Sequence, residues 1–404
     1  MQRSFRRGRY VFRDRAFVTR DAMVAANRLQ KLEAIRGFAA VYVVAYHLGH
    51  LYLPRRGIGT PFLFGPEAVT LFFLLSGFVI YYSTHSSPLD LIPRNYLVKR
   101  VRRIYPIFLC ALLIGYLSHV VCVGRWALPS WKLLLGNLVM AQDYAAKPGV
   151  WIGTFYNNGP LWSLSYECWF YGLFIVLVDL VRQSTKHQFY AAAVSLVGIV
   201  TYLVVPNQIS LFLMYFMIWW CGVELAREFT MTGVVTWRYQ IVPVGMLAML
   251  SMLWLWPLAQ AISHHEHLIM NDYPVLICRH IFASIVFITL GVSWYKLRFV
   301  GFQPLLGVFA LFAPMSYAIY VVHYPIICVL DHFQPGRDGL LKSAITCIVT
   351  VGLAYVLEEK MQRPITRWSK RLLVGRPVSA SAPMRDPPFK PVEGRTQVKL
   401  RKAG

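Results

Sequence analysis

Ten apolar stretches, each long enough to cross a bilayer, constrain this chain more than any other feature. A hydrocarbon core takes about 20 apolar residues per helix. Stretches of that length fall at 34–53, 66–84, 104–122, 160–181, 188–206, 208–226, 240–262, 275–295, 305–331 and 341–358. Pro54, Pro61, Pro88, Pro93, Pro148, Pro206, Pro243, Pro274, Pro304 and Pro335 fall in or beside the gaps, as breakers should. Of the 404 residues, 57% are hydrophobic and 15% charged, against about 25% charged in soluble domains. The expected fold is therefore an all-α integral membrane protein of about ten helices.

Lysine and arginine placement sets the expected orientation. With the N-terminus inside, the inner segments carry 32 of the 41 Lys and Arg and the outer segments seven. Both termini then lie in the cytoplasm. Residues 1–33 read as a basic cytoplasmic arm without the apolar core of a signal peptide. Residues 34–359 form the membrane domain. The Pro-rich, basic stretch 360–404 reads as a disordered tail. Net charge is +23, and beside a membrane the basic partner is anionic lipid rather than nucleic acid. The seven cysteines form no CxxC pair, so neither a disulfide framework nor a thiolate metal site is expected. His264–His267, the HHEH run, lacks the spacing of a helical HExxH site and reads as a solvated outer loop. Residues 123–159 form the one long outer segment. Its WKLLLGNLVMAQDY stretch is too short to span and reads as a re-entrant or interfacial helix over the outer mouth of a site.

Ionisable groups inside a bilayer are expensive, and each one is a functional hypothesis. In RGFAAVYVVAYH, Arg36 and His47 lie eleven residues apart, about 16 Å along a helix axis. Arg36 reads either as a snorkelling interface residue or as part of a site, and His47 either as a packed histidine or as a base. In KRVRRIYP, Arg100 and Arg103 share one helix face. Two guanidiniums so placed suit phosphate oxygens, although a plain positive-inside anchor has the same composition. In GPLWSLSYECWFYG, Glu167 lies roughly 10 Å into its span and needs a partner. His47 is the expected one, and Glu67, at the outer start of the second span, is a second carboxylate for it. Trp162, Trp169 and Tyr171 suit an interfacial belt or a sugar-stacking wall. Ser316, Tyr320 and His323 recur at helical spacing and make one polar stripe.

Taken together, RGFAAVYVVAYH, EAVTLFFLLSGFVI, RVRRIYP, WSLSYECWFY and MSYAIYVVHYP resemble the bacterial membrane-bound acyltransferase family 3, over about residues 30–365. The resemblance implies a ten-helix enzyme of the bacterial inner membrane. Such an enzyme moves an acyl group, commonly acetyl from acetyl-CoA, onto a hydroxyl of a surface or exported glycan. It implies His47 as the catalytic histidine, paired with Arg36 in the R-x10-H pattern. Arg100 and Arg103 would lie near the acyl-CoA donor. Glu167 would be the WSLxxE glutamate, Ser76 and Gly77 the SGF turn, and Ser316, Tyr317 and His323 the SYxxYxxH block. No metal is implied, and the chain would be a member without a fused hydrolase-like domain. The other reading of the same polar stripes is a transporter of an anionic or glycan solute without acyl-transfer chemistry.

Overall fold

The structure, a computed structural model, describes residues 8–52, 61–85, 92–180, 186–264, 272–333 and 339–367, with residues 8–28 and 179–180 as backbone only. Fourteen α-helices run in the order α1 Gly8–Tyr52, α2 Gly65–His85, α3 Pro93–Val123, α4 Trp131–Leu138, α5 Leu161–Leu180, α6 His187–Val204, α7 Gln208–Met214, α8 Phe216–Thr232, α9 Trp237–Met252, α10 Leu255–Ser263, α11 Val275–Lys296, α12 Phe302–Leu306, α13 Ser316–Phe333 and α14 Gly339–Tyr355. Among the described residues no strand forms beyond an isolated bridge between Asp143 and Gly153.

Nine helical stretches among the described residues are long and apolar enough to cross a membrane. They coincide with nine of the ten expected spans. The tenth, 34–53, is the C-terminal part of the 45-residue α1. It is not among the nine, because Arg36, His47 and His50 interrupt its apolar run. Its backbone is helical from Gly8, well back into the expected arm. Most of the tail, the first seven residues and His265–His267 lie outside the described residues.

Three boundaries differ most from expectation. The third span begins at Pro93, not 104, because the basic KRVRR stretch is already helical. The ninth span begins at Ala313, not 305. Residues 302–315 are instead broken into α12 and two 3-10 turns. Pro304 and Pro314 each remove a backbone donor and weaken the helix at two places within a dozen residues, although single prolines are carried inside α3, α9 and α13. These turns pack against α1, and the Ala313 carbonyl accepts a bond from Arg36 Nη2 at 3.2 Å. The last span continues past α14 as a π-helix, Val356–Gln362.

The most enclosed stretch is α7–α8, where 83% of the apolar window is buried, against 28% for α6. It packs along α2 at close range. A Cβ on Gly77 would sit 2.1 Å from the Trp219 carbonyl oxygen, and one on Gly222 2.0 Å from that of Leu74. Gly77 therefore belongs to a helix–helix contact inside α2. The turn expected at Ser76–Gly77 is absent, because small residues here let two backbones touch. Phe170, Phe174, Phe216, Trp219 and Trp220 fill the space toward α5.

The long segment between α3 and α5 holds the eight-residue α4, capped where Ser130 Oγ accepts from Leu133 N at 3.2 Å. Beyond it the chain is irregular and tied to the bundle by side chains. Gln208 Oε1 accepts from Trp151 N and Ile152 N at 2.9 and 3.1 Å. Asn158 Nδ2 donates to the Val321 carbonyl at 3.0 Å. Backbone outside helices needs such partners when buried.

Candidate active site

Five helices converge on one cavity of about 310 Å³. It is lined by Arg36 of α1, Ser76 of α2, Arg100 and Arg103 of α3, Ser163, Glu167 and Tyr171 of α5, and Ser316, Tyr317 and Tyr320 of α13. Helical periodicity explains the convergence. Ser163, Glu167 and Tyr171 are spaced four apart and share a face of α5, and Arg100 and Arg103 share one of α3.

Three guanidiniums therefore face one space. Arg103 is held by Glu358 of the π-helix in a two-pronged pair, Nη1 to Oε2 at 2.5 Å and Nη2 to Oε1 at 3.1 Å. The Glu358 side chain is 5% exposed and that of Arg103 41%, so the arginine, unlike its partner, keeps accessible surface while lining the cavity. Arg100 lies over the rings of Tyr96 and Tyr171, 5.3 and 5.8 Å from their centroids. Its Nη2 reaches Ser83 Oγ at 3.4 Å, and its Nε has no partner among the described residues. Arg36 Nη2 donates to Glu33 Oε2 at 2.6 Å.

Opposite them sits Glu167. Its Oε1 accepts from Ser76 Oγ at 2.6 Å and from the Tyr171 hydroxyl. Two hydroxyls donating to one oxygen suit a carboxylate acceptor. Further along, the hydroxyls of Ser163 and Tyr320 bond at 2.7 Å, and the Tyr317 hydroxyl donates to the Ile104 carbonyl at 2.9 Å.

His47 is not part of the cavity wall. Its ring lies 5.2 Å from that of His323 and 5.1 Å from that of Tyr324. His323 Nδ1 is 3.1 Å from the Ile319 carbonyl, so Nδ1 carries the proton and Nε2 is left as an acceptor. That Nε2 is buried and has no partner among the described residues. Tyr320 lines the cavity and its ring is 6.2 Å from His323. Tyr320 and His323 thus connect the cavity to His47 through ring contacts.

The structure brings Arg36, Arg100, Arg103, Ser76, Glu167, Ser316, Tyr317 and Tyr320 together, with His47 and His323 adjoining. It does not pair His47 with Glu167, which is held by Ser76 and Tyr171. Nor does it pair His47 with Glu67, whose Oε1 takes Arg279 Nε at 2.6 Å. Arg279, 212 residues away, supplies the opposite charge that a buried carboxylate needs. Trp162 lies outside the cavity. Its ring stacks on His280 at 5.8 Å and carries the Lys147 ammonium 4.0 Å from its centroid. Trp169 Nε1 donates to the Met140 carbonyl at 3.0 Å.

Two features escaped the sequence reading. Glu358 is one; an acidic residue closing the last expected apolar stretch, just before Lys360, was the available signal. The other is the pair Asp143–Lys147, buried within the outer segment itself. Lys147 Nζ meets Asp143 Oδ1 at 2.8 Å, and the Tyr166 hydroxyl donates to Asp143 Oδ2 at 2.6 Å. Burial pulls the Lys147 ammonium below its ordinary pKa, and Asp143 opposes that shift.

The acyltransferase domain family matches residues 29–359. Among curated proteins, the acyltransferase MdmB of Streptomyces mycarofaciens is similar, 32% identical over 188 residues. That match covers 43% of this chain and 47% of the relative, so it spans about half the length of that protein. No solved structure matches.

Proposed function

The chain belongs to the acyltransferase domain family, and from that membership we propose that it moves an acyl group, acetyl from acetyl-CoA, to a hydroxyl of a surface or exported glycan. The observation that carries the donor assignment is the set of three guanidiniums on one cavity. Arginine forks match phosphate oxygens in pairs, and CoA carries a pyrophosphate and a further phosphate. Arg100 and Arg103 take those oxygens, with Arg36 at the wall. The N-terminus and the arginine-bearing end of the bundle face the cytoplasm of the bacterial inner membrane, where the donor is supplied.

His47 handles the proton. An imidazole has an ordinary pKa near 6.5, close to working pH. In one course, His47 takes the proton of the acceptor hydroxyl as that oxygen attacks the thioester carbonyl, and CoA leaves as thiolate and is protonated. In the other, His47 attacks first, forms an acyl-imidazole with release of CoA thiol, and passes the acyl group to the acceptor hydroxyl. Tyr320 and His323 lie between the donor cavity and His47, which suits either course. Glu167, held by Ser76 and Tyr171, orients the cavity's polar wall rather than the imidazole.

The test is transfer of label from radiolabelled acetyl-CoA to a mixed pool of bacterial surface glycans, with the full chain in nanodiscs. Wild type is expected to label glycan, and His47→Gln to lose at least a hundredfold in rate while still binding CoA. Equal transfer by both proteins removes His47 from the chemistry. Failure of wild type both to bind CoA and to transfer overturns the reading in favour of solute transport.

A further inference from the structure

A second cavity, of about 150 Å³, lies between α1, α2, α8 and α11. Every residue lining it is aliphatic, aromatic or glycine, with Leu32, Ile35, Leu74, Phe229 and Phe299 among them. Leu75 lines both this cavity and the arginine-bearing one, so the two adjoin at that residue. Walls of Leu, Ile and Phe offer water no partner and favour hydrocarbon.

The cavity has an open side. Gly291 of α11 lines it, is exposed, and would project a Cβ with nothing within 4 Å. In a membrane-spanning helix an exposed apolar position faces lipid. One end of the cavity is cationic. Lys31 Nζ lies 4.8 Å from the ring centroid of Phe299, itself a wall residue, and 5.9 Å from that of Phe302. Lys296 and Arg298, both exposed, fall within three residues of Phe299. The chain turns there through left-handed backbone at Arg298 and Phe299, with φ of 54° and 55°.

We propose that this cavity holds a segment of one acyl chain of an anionic phospholipid whose phosphate rests against Lys31, the rest of the chain running out through the open side into lipid. The hydrocarbon wall selects the chain and the cations select the headgroup charge, each cation near a membrane surface favouring an anionic lipid about fivefold. The site is independent of the acyl-transfer chemistry.

The experiment is native mass spectrometry of the full chain, stripped of co-purified lipid in detergent and offered equimolar palmitoyl-oleoyl phosphatidylglycerol and phosphatidylcholine. Wild type is expected to retain one phosphatidylglycerol. Gly291→Phe places a ring at the open side, where a Cβ meets nothing within 4 Å, to obstruct the cavity, and is expected to retain none. Lys31→Gln, a change on a partly exposed side chain, is expected to keep a bound lipid but lose about fivefold of the preference for phosphatidylglycerol. Equal retention of both lipids by wild type overturns the proposal. So does unchanged occupancy in Gly291→Phe whose circular dichroism and gel-filtration profile match wild type. Displacement of the lipid by palmitoyl-CoA at stoichiometric concentration also overturns it, since the cavity would then belong to the donor.

Discussion

Arg100 and Arg103 have equivalent positions in the sequence motif, yet removing them leaves different things behind. Arg103→Ala strands the Glu358 carboxylate, 4% exposed as a residue, and an unpaired buried acceptor is costly. Water reaches Arg103 itself, which discounts the pair. The expected loss is about 1–3 kcal/mol of stability. Arg100→Ala removes ring contacts and one long hydrogen bond, and strands no carboxylate. Both variants are expected to weaken CoA binding at least tenfold. Thermal unfolding combined with CoA titration separates the two effects. The double change Arg103→Ala with Glu358→Leu should recover the melting temperature and leave CoA binding lost. At Glu167, Ser76→Ala and Tyr171→Phe each remove one donor to Oε1. A hydrogen bond to a charged group is worth roughly 1.5–3 kcal/mol. Each change should lower kcat about tenfold or more, with the donor KM nearly unchanged, as steady-state kinetics would read.

Among the elements, α2 and α8 form the closest pair, and two glycines make it so. Gly77→Val places a branched side chain where even a Cβ falls 2.1 Å from the Trp219 carbonyl oxygen. No rotamer relieves a clash with backbone, so the helices must part. Overpacking of this kind costs about 1–3 kcal/mol, sometimes more. The variant is expected to lower the melting temperature in detergent and to disturb Ser76, one residue away, along with Glu167. Gly245→Val, at a position with nothing within 4 Å of a Cβ, is the control and should melt close to wild type. The π-helix after α14 has a role at the same scale. An extra residue per turn shifts the facing of side chains, and this segment presents Glu358 to Arg103 and Gln362 to the Arg102 carbonyl at 2.8 Å.

For the whole molecule, the charge distribution carries the orientation. With 32 Lys and Arg assigned inside and seven outside, both termini are expected in the cytoplasm. Green fluorescent protein fused at either end should therefore fluoresce, and alkaline phosphatase at either end should stay inactive. In sealed inverted vesicles, acetyl-CoA added outside should support transfer to glycan enclosed within. In right-side-out vesicles the same addition should give none. The reverse pattern of sidedness would place the three guanidiniums on the opposite face.

Spans, their number to within one and the polar stripes were legible in the sequence, because a bilayer imposes a length and a polarity on each helix. Arg100 with Arg103, and Ser316 with Tyr320 and His323, were legible because helical spacing alone puts them on one face. The expected partner of His47 was not. Helical rise puts Glu167 and His47 at a similar expected depth, but depth says nothing about rotation or about which helices are neighbours. Packing gave Glu167 to Ser76 and Tyr171, Glu67 to Arg279, and His47 to His323. Glu358 reaches Arg103 across 255 residues, and no local pattern encodes a contact of that range. Local physical chemistry, read along the chain, determined that this is a membrane bundle with cations at one end and imidazoles within it. Which side chains meet was decided only when glycine contacts, proline breaks and a π-turn set the rotation and spacing of the helices.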